Sequence, residues 1–441
     1  MLAAIVTLAA CRADTAPTPA PVPSAAATAP APRPTAAPPI TAVPQPTASP
    51  SGLVLWALAD EPELAVLRRL VADMSAPSGI QVLVVGKSAD ALLADLSADA
   101  LAGLPPPDLV WATQDELGLL QRADIIQPAD DGLANDGFLP ATLAGATIGG
   151  RRWGTPLAAR GYLLLLYNRK LVAGAPRTTD ELIVQSRAQV RNGGYGMVAA
   201  WAEPRWFTAW LAGYGGAAVD AQGRPTLDTP QVVAALNLLK ELRVAGPPAP
   251  STYEEGVQLF RAGRAAFAID GDWTLAGYRE YTDTLDLGVA PLPVVPATGR
   301  RAAPAFGGMY LMYSARLSGE RLAQAWALGR ALAGPDAQVR VAAELGWLPA
   351  LRAALGSPAV VNSPPLAAGV AQAADAPGLP PLDGLRCAWG AIQAQLPGVL
   401  LGDQAQEAAA QAMQASADTC AGSARGGPPA MRAQADRILR R

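Results

Sequence analysis

Residues Leu259–Leu275 read LFRAGRAAFAIDGDWTL, and this stretch decides how the rest of the chain is arranged. Leu259 and Phe260 continue the apolar face of a helix that Gly263 ends, as a glycine just past a helix C-terminus commonly does. The unbroken apolar run Ala265–Ile269 is too short for a helix and predicts a buried parallel strand. Asp270-Gly271-Asp272 then signals a turn, which delivers Trp273 to the strand's carboxyl end. In open α/β sheets that end borders the ligand crevice. Trp273 is therefore expected to face a cleft that the remaining residues build.

Working outward, 441 residues with 51% hydrophobic content suffice for a large core divided into more than one unit. The net charge is −3, and the lysines are only Lys87, Lys170 and Lys240, which argues against a nucleic-acid footprint. There is no histidine, so imidazole bases and imidazole-ligated metals are excluded. No GxSxG or HExxH motif occurs, and serine or cysteine nucleophiles would lack a histidine partner. Two carboxylates such as Glu203 and Asp270 would have to serve a secreted hydrolase as acid and base. The expectation is a protein that is not an enzyme, with no cofactor and no metal.

Residues 1–11, MLAAIVTLAAC, carry an apolar run far too short to span a bilayer, which takes about 20 residues. The run fits a signal peptide, although no basic residue precedes it, and Leu8-Ala9-Ala10-Cys11 resembles a bacterial lipobox. Cys11 is the expected lipidation site, with an incidental cysteine after an ordinary signal as the alternative. Residues 12–52 hold 12 prolines in 41 residues and are expected to be a disordered tether. Cys387 and Cys420 remain as a pair, which an exported compartment permits to form a disulfide or leaves as two buried thiols.

From Leu53 the pattern alternates strands and helices. LVLWAL, GIQVLVV and PDLVWA alternate with leucine-rich helical segments, as βαβ units do. GYLLLLYN (161–168), the helix 230–244, DLGVAPLP (286–293) and AFGGMYLMY (305–313) follow. Helices dominate afterwards, with Pro397 expected to separate the last two and 422–429 to be loose.

The fragments PDLVWATQDEL, WGTPLAARGYLLLLYNRKL, AEPRWFTAWLAGYGG, LDTPQVVAALNLLKEL, FRAGRAAFAIDGDWTL, FGGMYLMY and LGWLPAL stand in an order that resembles the family 1 extracellular solute-binding proteins of ABC importers, similar to the maltose-binding protein group. The resemblance implies an α/β fold of the type II periplasmic-binding-protein kind, two lobes joined by a hinge with the cleft between them. It places lobe one at about 53–158 and 305–359, lobe two at about 160–303 and 364–421, and a tail at 422–441. It further implies a lipid-anchored monomer at the outer face of the cytoplasmic membrane or in the periplasm. That monomer would capture a carbohydrate or related small solute and deliver it to membrane permease subunits. A polyamine or phosphorylated polyol as ligand, or a sensor without transport partners, are the alternatives.

Ten tryptophans against five phenylalanines suit sugar faces, which lie on aromatic planes while hydroxyls meet charged side chains. By the resemblance, Trp273, Trp206 and Trp389 match ligand-stacking positions, and Asp115 matches a polar contact. Glu203 lies beside Trp206. Arg160 stands at the crossover where the maltose-binding group carries a carboxylate. Trp111 lies one position from another family aromatic. Trp56, Trp153, Trp201, Trp210, Trp326 and Trp347 are read as structural, and Asp270 and Asp272 as turn formers.

Overall fold

The computed structural model describes residues 52–247, 252–379 and 383–426. The expected signal segment, Cys11 and the tether lie outside them, as do residues 427–441 of the tail. Eleven strands in two main sheets are labelled in chain order: β1 (Leu53–Leu58), β2 (Val82–Lys87), β3 (Leu109–Thr113), β4 (Ile126–Gln127), β5 (Thr155–Arg160), β6 (Leu163–Asn168), β7 (Tyr195–Val198), β8 (Ala265–Gly271), β9 (Leu287–Ala290), β10 (Gly307–Ser314) and β11 (Leu348–Pro349).

The first sheet has the order β11–β5–β10–β3–β1–β2, with β4 also on β10. β1 runs parallel to β2 and β3, whereas β10 is antiparallel to β3 and β5. The helices Glu61–Ser75, Gly319–Ala333 and Pro335–Leu345 pack together beside it. The second sheet has the order β9–β6–β8–β7. The helices Pro204–Gly213, Pro230–Arg243, Asp383–Leu401 and Gln406–Gly426 pack on one another there. These two assemblies are the lobes. Every residue of β8 and β10 is buried, which is why both read as continuous apolar runs rather than alternating ones.

The chain crosses between lobes where β5 ends at Arg160 and β6 begins at Leu163. Gly161 makes that step at φ +86°, a left-handed conformation that favours glycine. A third cluster of buried residues joins the lobes at this point. It includes Ala159, Tyr162, Leu164, Phe306 and Leu348, with Tyr162 meeting Phe306 edge-on at 5.9 Å.

Several local expectations change. Gly263 does follow the helix Tyr253–Arg261, at φ +68°. β8, however, is parallel only to β7 and antiparallel to β6, and it runs on through Asp270-Gly271 instead of turning there. Pro397 lies inside the helix Asp383–Leu401, and the chain turns only at Gly402, φ +86°. The following helix continues through Gly422 to Gly426. A disulfide joins Cys387 to Cys420 across these two helices.

Candidate functional site: the interlobe cleft

Three adjoining openings form one cleft. The centre, about 370 Å3, is lined by Glu63, Asp115, Arg160, Arg205, Trp273 and Trp347 among others. One flank of about 510 Å3 continues past Asp115 to Glu203, Arg386 and Trp389. The other, of about 620 Å3, continues past Trp273.

Trp273 sits in the single turn Asp272–Thr274 that follows β8, and it is 42% exposed. Its ring folds back over Gly271, where any Cβ would collide with ring atoms at 2.2 Å. Only glycine admits that placement. Trp206 supports the ring from behind, edge-on at 6.3 Å. Trp206 itself is buried, donates Nε1–H to the Ile269 carbonyl at 2.8 Å, and touches Tyr253 at 5.8 Å. The expectation of a second stacking face at Trp206 is corrected accordingly: it is a buttress. Trp111 is likewise core, 1% exposed within lobe one.

Asp270 and Asp272 are not simple turn formers. Asp270 is buried beneath the Trp273 turn and accepts hydrogen bonds from Tyr253 Oη (2.8 Å), Tyr278 Oη (2.6 Å) and the Gly271 amide (2.8 Å). Asp272 pairs with Arg160 Nε at 2.9 Å and accepts the Gly161 amide at 2.8 Å. From the opposite side Arg205 Nη1 donates to the Gly161 carbonyl at 3.0 Å. The crossover peptide is thus gripped by two side chains of lobe two. Arg160 Cζ lies over the Trp347 ring, 4.4 Å from its centroid, and Arg205 Cζ lies 5.3 Å from that of Trp389.

Burial sets the electrostatics. It raises the carboxyl pKa of Asp272, opposed by Arg160, the Gly161 amide and Arg205. It raises Asp270 against the bonds from Tyr278, Gly271 and Tyr253. Glu63 is raised by burial, opposed by Arg160. Asp115 opens on solvent but stands recessed between the lobes, and the surrounding protein raises it against the charge of Arg205. Burial also lowers the Arg205 pKa, while Asp115 and Asp272 hold it up. Each of the two arginines of the central opening, Arg160 and Arg205, therefore faces carboxylate, and the centre is polar without a net cationic pole.

Trp273, Arg160 and Asp115 converge on the centre, and Trp389, Glu203 and Asp115 on the flank. Glu63, Arg205 and Trp347 were missing from the expected set. Glu63 was masked by its part in the capping box with Asp60 that starts the helix Glu61–Ser75. Arg205 stands in plain view beside Glu203 in the sequence, but its reach to Gly161 does not. Trp347 forms wall rather than open surface, at 3% exposure. Among the described residues no group of three or more His, Cys, Asp or Glu is placed to hold a metal.

The sequence model of the bacterial extracellular solute-binding proteins matches residues 69–368, more than half of the chain. The chain belongs to that family. This solute-binding protein is 27% identical over 358 residues to the maltotriose-binding protein of Pyrococcus abyssi, covering 79% of this chain and 77% of the relative. It is 26% identical over 299 residues to a maltodextrin-binding protein of Bacillus subtilis, covering 64% and 70%. Among solved structures, the maltose/maltodextrin-binding domain from Bdellovibrio bacteriovorus bound to maltotriose superposes with a TM-score of 0.67 at 25% identity, covering 83% of this chain and 98% of that one. A cyclo/maltodextrin-binding protein complexed with maltotetraose reaches 0.75 at 24% identity, over 85% and 98%. The family and these relatives are binding proteins rather than enzymes, and the solute-binding protein shares their two-lobed type II fold.

Proposed function

We propose that this solute-binding protein captures a neutral carbohydrate between its lobes and hands it to the permease of an ABC importer. The observation that carries the proposal is the open face of Trp273 beside Asp115, Glu63 and the Arg160–Asp272 pair. An indole face suits the C–H side of a sugar ring, and alternating acceptors and donors suit its hydroxyls. Because Asp272 and Asp115 offset Arg160 and Arg205, an anionic ligand such as a phosphorylated polyol gains little there. The names of the relatives, which bind maltotriose and maltodextrins, support the same class.

A ligand that touches both lobes favours their closure, which a permease can read. The ligand-contact set proposed is Trp273, Trp389, Asp115, Arg160 and Glu203, joined by Glu63 and Arg205, with 53–158 and 305–359 as one moving body and 160–303 and 364–421 as the other. The lipobox-like end at Cys11 supports a lipid-anchored monomer outside the cytoplasmic membrane.

Isothermal titration of the protein with maltose, maltotriose, spermidine and a polyol phosphate tests the ligand. Saccharide binding with closure in small-angle scattering is expected. A response to spermidine or the phosphate alone would overturn it. Radiolabelled palmitate incorporated by the parent and not by Cys11→Ser tests the anchor.

A further inference from the structure

The helix Asp383–Leu401 has one face on the cleft and the other in the core of lobe two. Arg386, Trp389, Gly390 and Gln393 line the flank of the cleft, and their spacing of three, four and seven residues puts them on one side of the helix. Ala388, Ala391, Ile392, Leu396 and Val399 are buried on the other side. Cys387 is buried at the edge of that second face, in the same turn as Arg386 and Trp389, and does not line the opening.

The disulfide ties this turn to Cys420 on the helix Gln406–Gly426, with the two Cα atoms 5.6 Å apart. Near the connecting turn at Gly402 the helix pair is held by large buried side chains, Leu396, Val399 and Met413, and Gln404 Nε2 donates to Gln395 Oε1 at 3.0 Å. Towards the linked end the buried residues shrink to Ala388, Ala391 and Ala417. An alanine offers a single methyl, so it buries far less apolar surface than Leu, Val or Met. Just ahead of Cys387, Gly384 meets the Gly223 carbonyl with no side chain at all. Non-covalent packing thus thins out towards the turn that bears Trp389, where the covalent link stands. Trp389 is joined in its turn to the crossover. Arg205 Cζ lies 5.3 Å from its ring centroid, and Arg205 Nη1 donates to the Gly161 carbonyl at 3.0 Å.

We propose that the Cys387–Cys420 disulfide is a positioning element of the ligand site, fixing the turn that carries Arg386 and Trp389 so that the indole stays against Arg205 and faces the flank. The proposal rests on the carbohydrate reading for its ligand and on the helix geometry for its turn. Opening the link lets the start of the helix move on its alanine-lined seat. The indole then leaves Arg205, one of the two side chains that grip the crossover peptide. Affinity is thereby tied to a bond that lies behind the cleft wall.

The test is a double-mutant cycle. Maltotriose is titrated calorimetrically at 25 °C into the parent, into Cys387→Ala with Cys420→Ala, into Trp389→Ala, and into the protein carrying all three changes. Opening the link should raise Kd about tenfold in the presence of Trp389 and by less than about threefold in its absence, because the group being positioned is then gone. Amide hydrogen exchange of the unliganded proteins should quicken within residues 384–393 on opening and stay unchanged in β1. If circular dichroism shows that the double variant does not fold, the dithiothreitol-reduced parent takes its place. A link that only stabilises the fold lowers the melting midpoint and moves neither quantity. A Kd within threefold of the parent after opening, an equal loss with and without Trp389, or unchanged exchange at 384–393 would each overturn the positioning role. If the parent binds no saccharide, the carbohydrate reading falls, and exchange alone decides whether the link holds the turn.

Discussion

Replacing Trp273 by alanine separates the ligand-facing part of the ring from the part that holds its own lobe together. The residue is 42% exposed, so roughly 100 Å2 of an aromatic that offers up to about 250 Å2 is left open to the cleft. At about 25 cal/mol per Å2, covering that face contributes roughly 2.5 kcal/mol to binding. With tenfold in affinity per 1.4 kcal/mol, Trp273→Ala should raise the Kd for maltotriose about 60-fold. The rest of the ring packs over Gly271 and against Trp206, and its loss should take about 1–3 kcal/mol from the stability of the unliganded protein. Titration calorimetry at 25 °C reads the first number and urea unfolding the second. Trp273→Phe should recover part of both. Trp206→Phe provides the contrast: it loses the bond to Ile269 and about 1–2 kcal/mol of stability, with a smaller effect on Kd than Trp273→Ala. A Kd for Trp273→Ala within threefold of the parent would refute the stacking role of this ring, and so would a Trp206→Phe variant that binds more weakly than Trp273→Ala.

Three further outcomes are expected. Gly161→Ala places a side chain at φ +86° with its Cβ 3.2 Å from Arg205 Nη1, and should lose about 1–3 kcal/mol in urea unfolding while weakening ligand binding through the distorted crossover. Opening the Cys387–Cys420 link by changing both to alanine frees a loop with a sequence separation of 33 and should destabilise by about 3–4 kcal/mol, and dithiothreitol should lower the midpoint of the parent but not of the variant. For pH, the folded-state pKa of Asp115 is raised, so its contribution to stability is fully present below the unfolded carboxylate range near 4 and is lost as pH rises through the folded value. Asp115→Asn should therefore gain stability relative to the parent as unfolding is measured from pH 4 towards pH 7. A constant difference across that range would show that burial does not govern this carboxyl.

Local sequence reveals what depends on neighbours along the chain. The apolar run Ala265–Ile269 predicted a buried strand, Gly263 marked the end of a helix, and the alternation of strands with helices announced an α/β protein. Trp273 was legible because an aromatic at the carboxyl end of a buried strand has a restricted set of destinations. The ordered fragments carried the family because they reflect many positions at once.

What escaped was whatever depends on residues far apart in the chain. Asp272 and Gly161 are separated by 111 positions, and Asp272 looked like part of a turn because Asp-Gly-Asp is a turn signal wherever tertiary partners are unknown. Trp206 and Trp273 carry the same side chain, yet the packing of the helix Pro204–Gly213 hides one behind the other. Glu63 advertised a helix cap and concealed its place in the cleft wall. Pro397 suggested a break that the surrounding helix bundle overrides. The chain by itself determined the strands, the helices and the aromatic that ends β8, since hydrophobic period and turn chemistry are local. Only the tertiary structure decided which aromatic stays open and which charges meet across the crossover, since exposure and charge pairing are set by how the two lobes come together.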